Sequence, residues 1–175
     1  MPVYLNNEQS QSLDEKVWLK RLEDLHAACN LGPLDEWGVT WVDEAAIHDL
    51  NREYRGVDKP TDVLAFALED VPGEAGEEAP RLLGDVVVAV DVANEQARAR
   101  GHDLDAELAL LSVHGLLHLL GEDHDTPQRQ SKMWARQIEL LRVLGFEGPT
   151  LIAPEGLELP GRERPSAGRR RRGSR

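Results

Sequence analysis

The sequence predicts a single α+β domain in an α/β/α layered arrangement, with about five helices, a small mixed four-stranded sheet and one buried central helix. Three observations carry this. Residues 82–90, Leu-Leu-Gly-Asp-Val-Val-Val-Ala-Val, form an almost continuous apolar, β-branched run, the pattern of a strand covered on both faces. The stretch from Asp103 to Leu120 is apolar nearly all round a helix, so that helix belongs in the middle of the domain. Around these two, helical and strand-like stretches alternate with turn residues, in a chain of 175 residues, long enough for one core.

In order, residues 2–5 read as a short first strand. Residues 12–30 are helical, with Leu13, Val17, Leu22, Leu25 and Cys29 near helical spacing, and Gly32-Pro33 stops them. Residues 38–42, Gly-Val-Thr-Trp-Val, form the next strand. Asp43 is placed to cap a helix running to about Tyr54, with Ile47, Leu50 and Tyr54 on one side. Gly56 and Pro60 mark a turn before a strand at 62–68. Residues 69–81, rich in Pro, Gly, Glu and Ala, read as a flexible surface loop. After the buried strand, Asp91 is expected to cap a helix over 92–100 that Gly101 ends. Asp103 or Asp105 caps the central helix. The last helix covers about 128–144, with Met133, Trp134, Ile138, Leu141 and Leu144 inward. The domain is taken as 1–147, and 148–175 as a mostly disordered, arginine-rich tail.

Charge and cysteine content narrow the functions. The net charge is −12, unevenly placed: residues 162–175 hold seven arginines and one glutamate, a net of +6, which leaves −18 on the rest. So acidic a body does not bind polyanions over a broad surface, and any nucleic acid must be met in a local cleft. The single cysteine, Cys29, excludes an intrachain disulfide and a cysteine-based zinc site, and fits a reducing, cytoplasmic setting. No signal peptide and no run of about 18 apolar residues is expected, hence no membrane partner.

The chemistry sits in His114-Gly-Leu-Leu-His118-Leu-Leu-Gly121-Glu-Asp-His124. His114 and His118 are four apart and share a helix face. Gly121 can adopt the left-handed conformation that ends a helix, letting the chain bring His124 back to the pair. Three neutral imidazoles around one point suit Zn²⁺, one per chain, with a fourth position open as catalytic zinc requires. Metzincin proteases share this spacing but carry a glutamate after the first histidine as general base. Here that position is Gly115, so the metal-binding half of the motif is present without the protease base.

Four segments together resemble one family: Asn51-Arg-Glu-Tyr-Arg55, Pro60-Thr-Asp-Val-Leu-Ala-Phe66, Leu83-Gly-Asp-Val86 and the histidine motif, followed by Met133. In order and spacing they are similar to the YbeY family of bacterial endoribonucleases, the ribosomal RNA maturation factors, over about residues 48–144. The resemblance implies a single α/β domain with a zinc ion on His114, His118 and His124. It also implies single-strand-specific cleavage of RNA, maturation of the 3′ end of small-subunit (16S) ribosomal RNA, and ribosome quality control. The family's important arginine matches Arg55. Departures are Ala65 and Ala67 where the family usually has Ser and Pro, and Glu122 where it often has an aromatic residue; they bear on local substrate contacts.

The residues divide into expected roles. Arg55 and His114 are the catalytic candidates, Arg55 as a bidentate clamp on phosphate. Asp85 and Asp123 are candidates for orienting an imidazole, with Asp125 an alternative to Asp123 for proton transfer. Met133 is either an apolar floor under the site or a core methionine. The competing function is a ribosome-assembly factor that works by binding, its zinc mainly structural. Structural zinc normally takes four protein ligands, and of the remaining histidines (His26, His48, His102) His102 is nearest in sequence.

Overall fold

A computed structural model describes residues 2–68, 79–148 and 151. The loop expected at 69–81 lies mostly outside these residues, as does the expected tail apart from Gly148 and Leu151. Four strands, β1 (Val3–Asn7), β2 (Asp35–Val42), β3 (Val63–Ala67) and β4 (Arg81–Ala89), form one sheet in the order β1-β2-β4-β3. The pairs β1–β2 and β2–β4 are parallel and β3–β4 is antiparallel, so the sheet is mixed as expected and β3 is an edge strand. Five helices accompany it: α1 (Glu15–Ala28), α2 (Glu44–Arg55), α3 (Val90–Arg100), α4 (Leu104–Leu119) and α5 (Pro127–Val143).

The layering follows from side-chain alternation along β4. Val86 and Val88 face the main core with α1, α4 and α5, while Val87 and Ala89 face a smaller core with Ile47 of α2 and Leu64 of β3. β4 is therefore covered on both sides, which is what its apolar run requires. The central helix, α4, is buried from Ala106 through Leu117 and again at Leu119.

Several local expectations are corrected. Along α1 the buried seam is Trp18, Leu22, Leu25 and Cys29, whereas Val17 is exposed. The period 18-22-25-29 follows one helix face, and the Trp18 ring meets Trp41 of β2 edge to face at 5.9 Å. Asp91 does not cap its own helix, which begins at Val90 after an uncapped Ala89. Its carboxylate instead accepts the backbone N–H of Glu44 at 3.0 Å, so it supplements Asp43 at the start of α2. Asp103 stands at the N-cap of α4 without a side-chain bond. Asp105, the second residue of the helix, accepts from Trp18 Nε1 (3.3 Å) and Arg21 (3.1 Å) and so ties α1 to the start of α4. In α5 the inward residues are Met133, Trp134, Gln137, Leu140 and Leu141, with Ile138 only half-buried.

α4 lies unusually close to the sheet. A Cβ placed on Gly115 would stand 2.4 Å from Cγ1 and 2.9 Å from Cγ2 of Val86. Val86 is fully buried and β-branched, so it has no free rotamer to retreat into. This contact is the physical reason that the metzincin glutamate has no counterpart: the helix can approach β4 at this depth only if residue 115 has no side chain. Gly115→Ala is expected to destabilise the protein by about 1–3 kcal/mol in urea unfolding, the usual cost of overpacking a core. Val86→Ala in the same chain should recover part of that loss. An unchanged midpoint for Gly115→Ala would show that the two elements are free to separate.

Candidate metal centre in an open cleft

α4 ends in a Schellman motif. Gly121 has φ +85°, its N–H bonds to the carbonyl of His118 (3.0 Å), and the N–H of Glu122 bonds to the carbonyl of Leu117 (2.9 Å). The chain reverses, and Glu122 reaches Arg136 of α5 at 3.5 Å, an ion pair that ties the loop to that helix. His124 returns to the last turn of α4. Nitrogen atoms of His114, His118 and His124 then all lie within 4.8 Å of one another. His114 is buried and the other two are half-buried, on the wall of a cleft of about 770 Å³.

The donor set fits a metal ion. Gln137 of α5 is fully buried, and its Oε1 accepts from His114 Nδ1 at 2.6 Å. That bond makes Nδ1 the protonated nitrogen and leaves the lone pair of Nε2 aimed inward. His118 Nε2 stands 3.0 Å from His114 Nε2. Nitrogen ligands about 2.0–2.1 Å from a tetrahedral zinc are separated by roughly 3.3 Å, so this spacing needs little adjustment. Burial and the neighbouring His118 push the pKa of His114 down from 6.5 to about 3, against the opposing bond from Gln137. Burial, followed by His124, lowers His118 as well, and the Arg55 guanidinium adds to this. His114 is thus a neutral imidazole at physiological pH, the form that ligates.

Arg55 is the last residue of α2, followed by Gly56 in the left-handed conformation at φ +68°. It is exposed and lines the same cleft as the three histidines, together with Tyr54, Asp62, the strand β3 and Asp123. The exposed, short side chains of Ala65 and Ala67 leave the β3 wall of the cleft open. Asp62, in the segment Pro60–Phe66, is buried and accepts the N–H of Val63 (2.8 Å); burial holds its carboxyl above the usual range.

The other site candidates divide. Asp123 lines the cleft, and one of its carboxylate oxygens accepts the N–H of His124 at 2.7 Å, which braces the loop. Asp125 is exposed and pairs with Arg129 at 3.2 Å. The structure does not bring Asp85 to the imidazoles. Val86 faces α4, so its neighbour Asp85 points to the opposite side of the sheet, over Gly38. The group that orients His114 is Gln137, which the sequence reading missed; its signal was one amide in the inward stripe of α5. Met133 is buried in the main core, and Trp134 is the α5 ring set against the imidazoles, 6.0 Å from His114 and 5.7 Å from His124. No fourth histidine joins the three among the described residues. His26 bonds to Trp37 and to the carbonyl of Gly32, His48 to Asp58, and His102 to the buried Glu107.

An α+β domain with three convergent imidazoles and an arginine in one open cleft has the form of a metal-assisted hydrolase. The family model described as Endoribonuclease YbeY matches residues 4–145. The chain is 41% identical over 157 residues to the endoribonuclease YbeY of Brevibacillus brevis, covering 83% of this chain and 98% of that one. It is 46% identical over 127 residues to the endoribonuclease YbeY of Lysinibacillus sphaericus, with 69% and 81% covered. A Thermotoga maritima protein of known solution structure superposes with a TM-score of 0.57 at 26% identity, covering 81% of this chain and 88% of that one. The chain belongs to the endoribonuclease YbeY family.

Two outcomes are expected. Gln137→Leu should weaken zinc binding about 10- to 100-fold in a competition titration, the usual effect of losing a group that orients a ligand; unchanged affinity would remove Gln137 from the centre. The second concerns the metal-free protein. His114 binds its proton only near pH 3 when folded but near 6.5 when unfolded, so the unfolded chain takes up more protons between these values. Stability should therefore fall as pH drops from 6.5 toward 3, by up to about 1.4 kcal/mol per pH unit from this group. His114→Leu should flatten that part of the profile in denaturant unfolding measured at successive pH values.

Proposed function

We propose that the protein is a zinc-dependent endoribonuclease that cuts single-stranded RNA, with maturation of the 3′ end of small-subunit ribosomal RNA in the cytoplasm as its cellular reaction. The observation that supports this most is the shared cleft. Three imidazoles able to hold a divalent ion and a permanently charged guanidinium face the same space, in a body that is otherwise strongly acidic. No helix among the described residues is long and apolar enough to cross a membrane.

Zinc held by His114, His118 and His124 would supply Lewis acidity toward a phosphoryl oxygen and lower the pKa of a water molecule. The chain's own groups do the remaining work. Gln137 fixes the tautomer and direction of His114. Arg55, at the mouth, clamps two phosphate oxygens with its planar fork and offsets the charge that develops on phosphorus. Asp123, beside the imidazoles, is placed to accept a proton from the attacking group. The open side of the cleft admits an extended strand.

Elemental analysis should find one zinc per chain, and RNA cleavage should disappear with a chelator and in His118→Ala. Arg55→Glu should keep its zinc and lose about 100-fold or more in cleavage rate, the scale of removing one charge-stabilising donor. Full zinc with no cleavage of single-stranded RNA, alongside retained binding to the small ribosomal subunit, would favour an assembly factor with a structural ion.

A further inference from the structure

The cleft contains one feature that phosphate chemistry does not use. Tyr54 is 63% exposed, the highest value among the exposed large apolar and aromatic side chains of the described residues, yet it lies on the wall of the cleft beside Arg55. Phe66 of β3 lines the same wall, and the two rings meet edge to face, with centroids 5.4 Å apart and planes at 73°. Phe66 is anchored in the smaller core with Leu64, Val87 and Ile47. It therefore steadies the Tyr54 ring without stacking flat on it, and at least one broad face of that ring stays uncovered by Phe66.

We infer that Tyr54, braced by Phe66, is the platform on which an unpaired base of the RNA stacks while Arg55 holds an adjacent phosphate; this rests on the ribonuclease reading above. An exposed aromatic face beside a cation is what single-stranded RNA binds, because base and phosphate are joined a few ångströms apart and every base has a flat face to offer. A base inside a duplex has both faces occupied by its neighbours and cannot stack on a side chain without being extruded. The platform thus accounts for a preference for single strands without hydrogen bonds that read sequence. Tyr54 and Arg55 are consecutive at the end of α2, so one helix terminus positions both contacts. Ala65 and Ala67 flank Phe66 on the same strand with short side chains turned to the other face of the sheet, so they do not crowd the Tyr54 ring.

The test uses the full chain and a fluorescent single-stranded oligoribonucleotide, with affinity read by anisotropy and KM and kcat read from cleavage. Tyr54→Ala should weaken binding and raise KM about tenfold, the size of one base–aromatic stack, with kcat little changed and zinc content intact. Tyr54→Phe and Tyr54→Trp should restore binding, which a mere loss of local packing or of the hydroxyl would not predict together. A set of the same oligomers with one abasic nucleotide moved along the strand should reveal one position where wild type loses about tenfold and Tyr54→Ala loses nothing further. The inference is overturned if Tyr54→Ala binds and cuts as wild type does, or if the abasic penalty persists undiminished in that variant. RNA neither bound nor cut by wild type would overturn both this inference and the ribonuclease reading, which separates the two failures.

Discussion

The contact between Gly115 and Val86 is the constraint on which the rest of the molecule depends. A helix buried on nearly every side has to fit a sheet surface already filled by Val86 and Val88, and the missing Cβ lets it settle there. That depth places His114 inside the core and leaves His118, one turn later, at the rim of the cleft. It also removes the side chain that would make this spacing a protease. A single packing requirement therefore positions two imidazoles and excludes one kind of chemistry.

The two walls of the cleft have different mechanical character. The histidine wall is backed by α4, Trp134 and the buried amide of Gln137, which holds His114 in one orientation. The opposite wall carries Arg55 and Tyr54 on the exposed end of a helix, beside an edge strand. Coordination demands fixed directions and distances, whereas clamping a flexible strand of nucleic acid tolerates movement. On the reading proposed above, each demand falls on the kind of element that meets it.

Much of this was legible in the sequence, for identifiable reasons. The helix pair His114 and His118, the turn at Gly121 and the return of His124 follow from period and glycine geometry, and the structure brings the three nitrogens together. The β4 run announced a strand covered on both faces, and β4 is one. What sequence could not give was direction across the fold. Asp85 looked close to the site because it follows Gly84 beside the buried strand, but strand alternation turns it to the far face. Gln137 looked like one polar residue in a helix of mixed composition, and only the packing of α5 against α4 shows that it meets His114. Asp91 illustrates the same limit: its carboxylate serves the start of α2, 47 residues earlier in the chain.

The position of Gln137 also gives the site an order in time. Polypeptides are made from the N-terminus, and the residues of the site appear as Arg55, then the three histidines, then Gln137 in the middle of the last described helix. A nascent or truncated chain that stops before α5 would contain every imidazole but nothing to fix the proton on His114. His114 and His118 would lie on a central helix with one covering layer absent, free to take either tautomer. The group that orients His114 is thus supplied by the last helix, after every imidazole has been made.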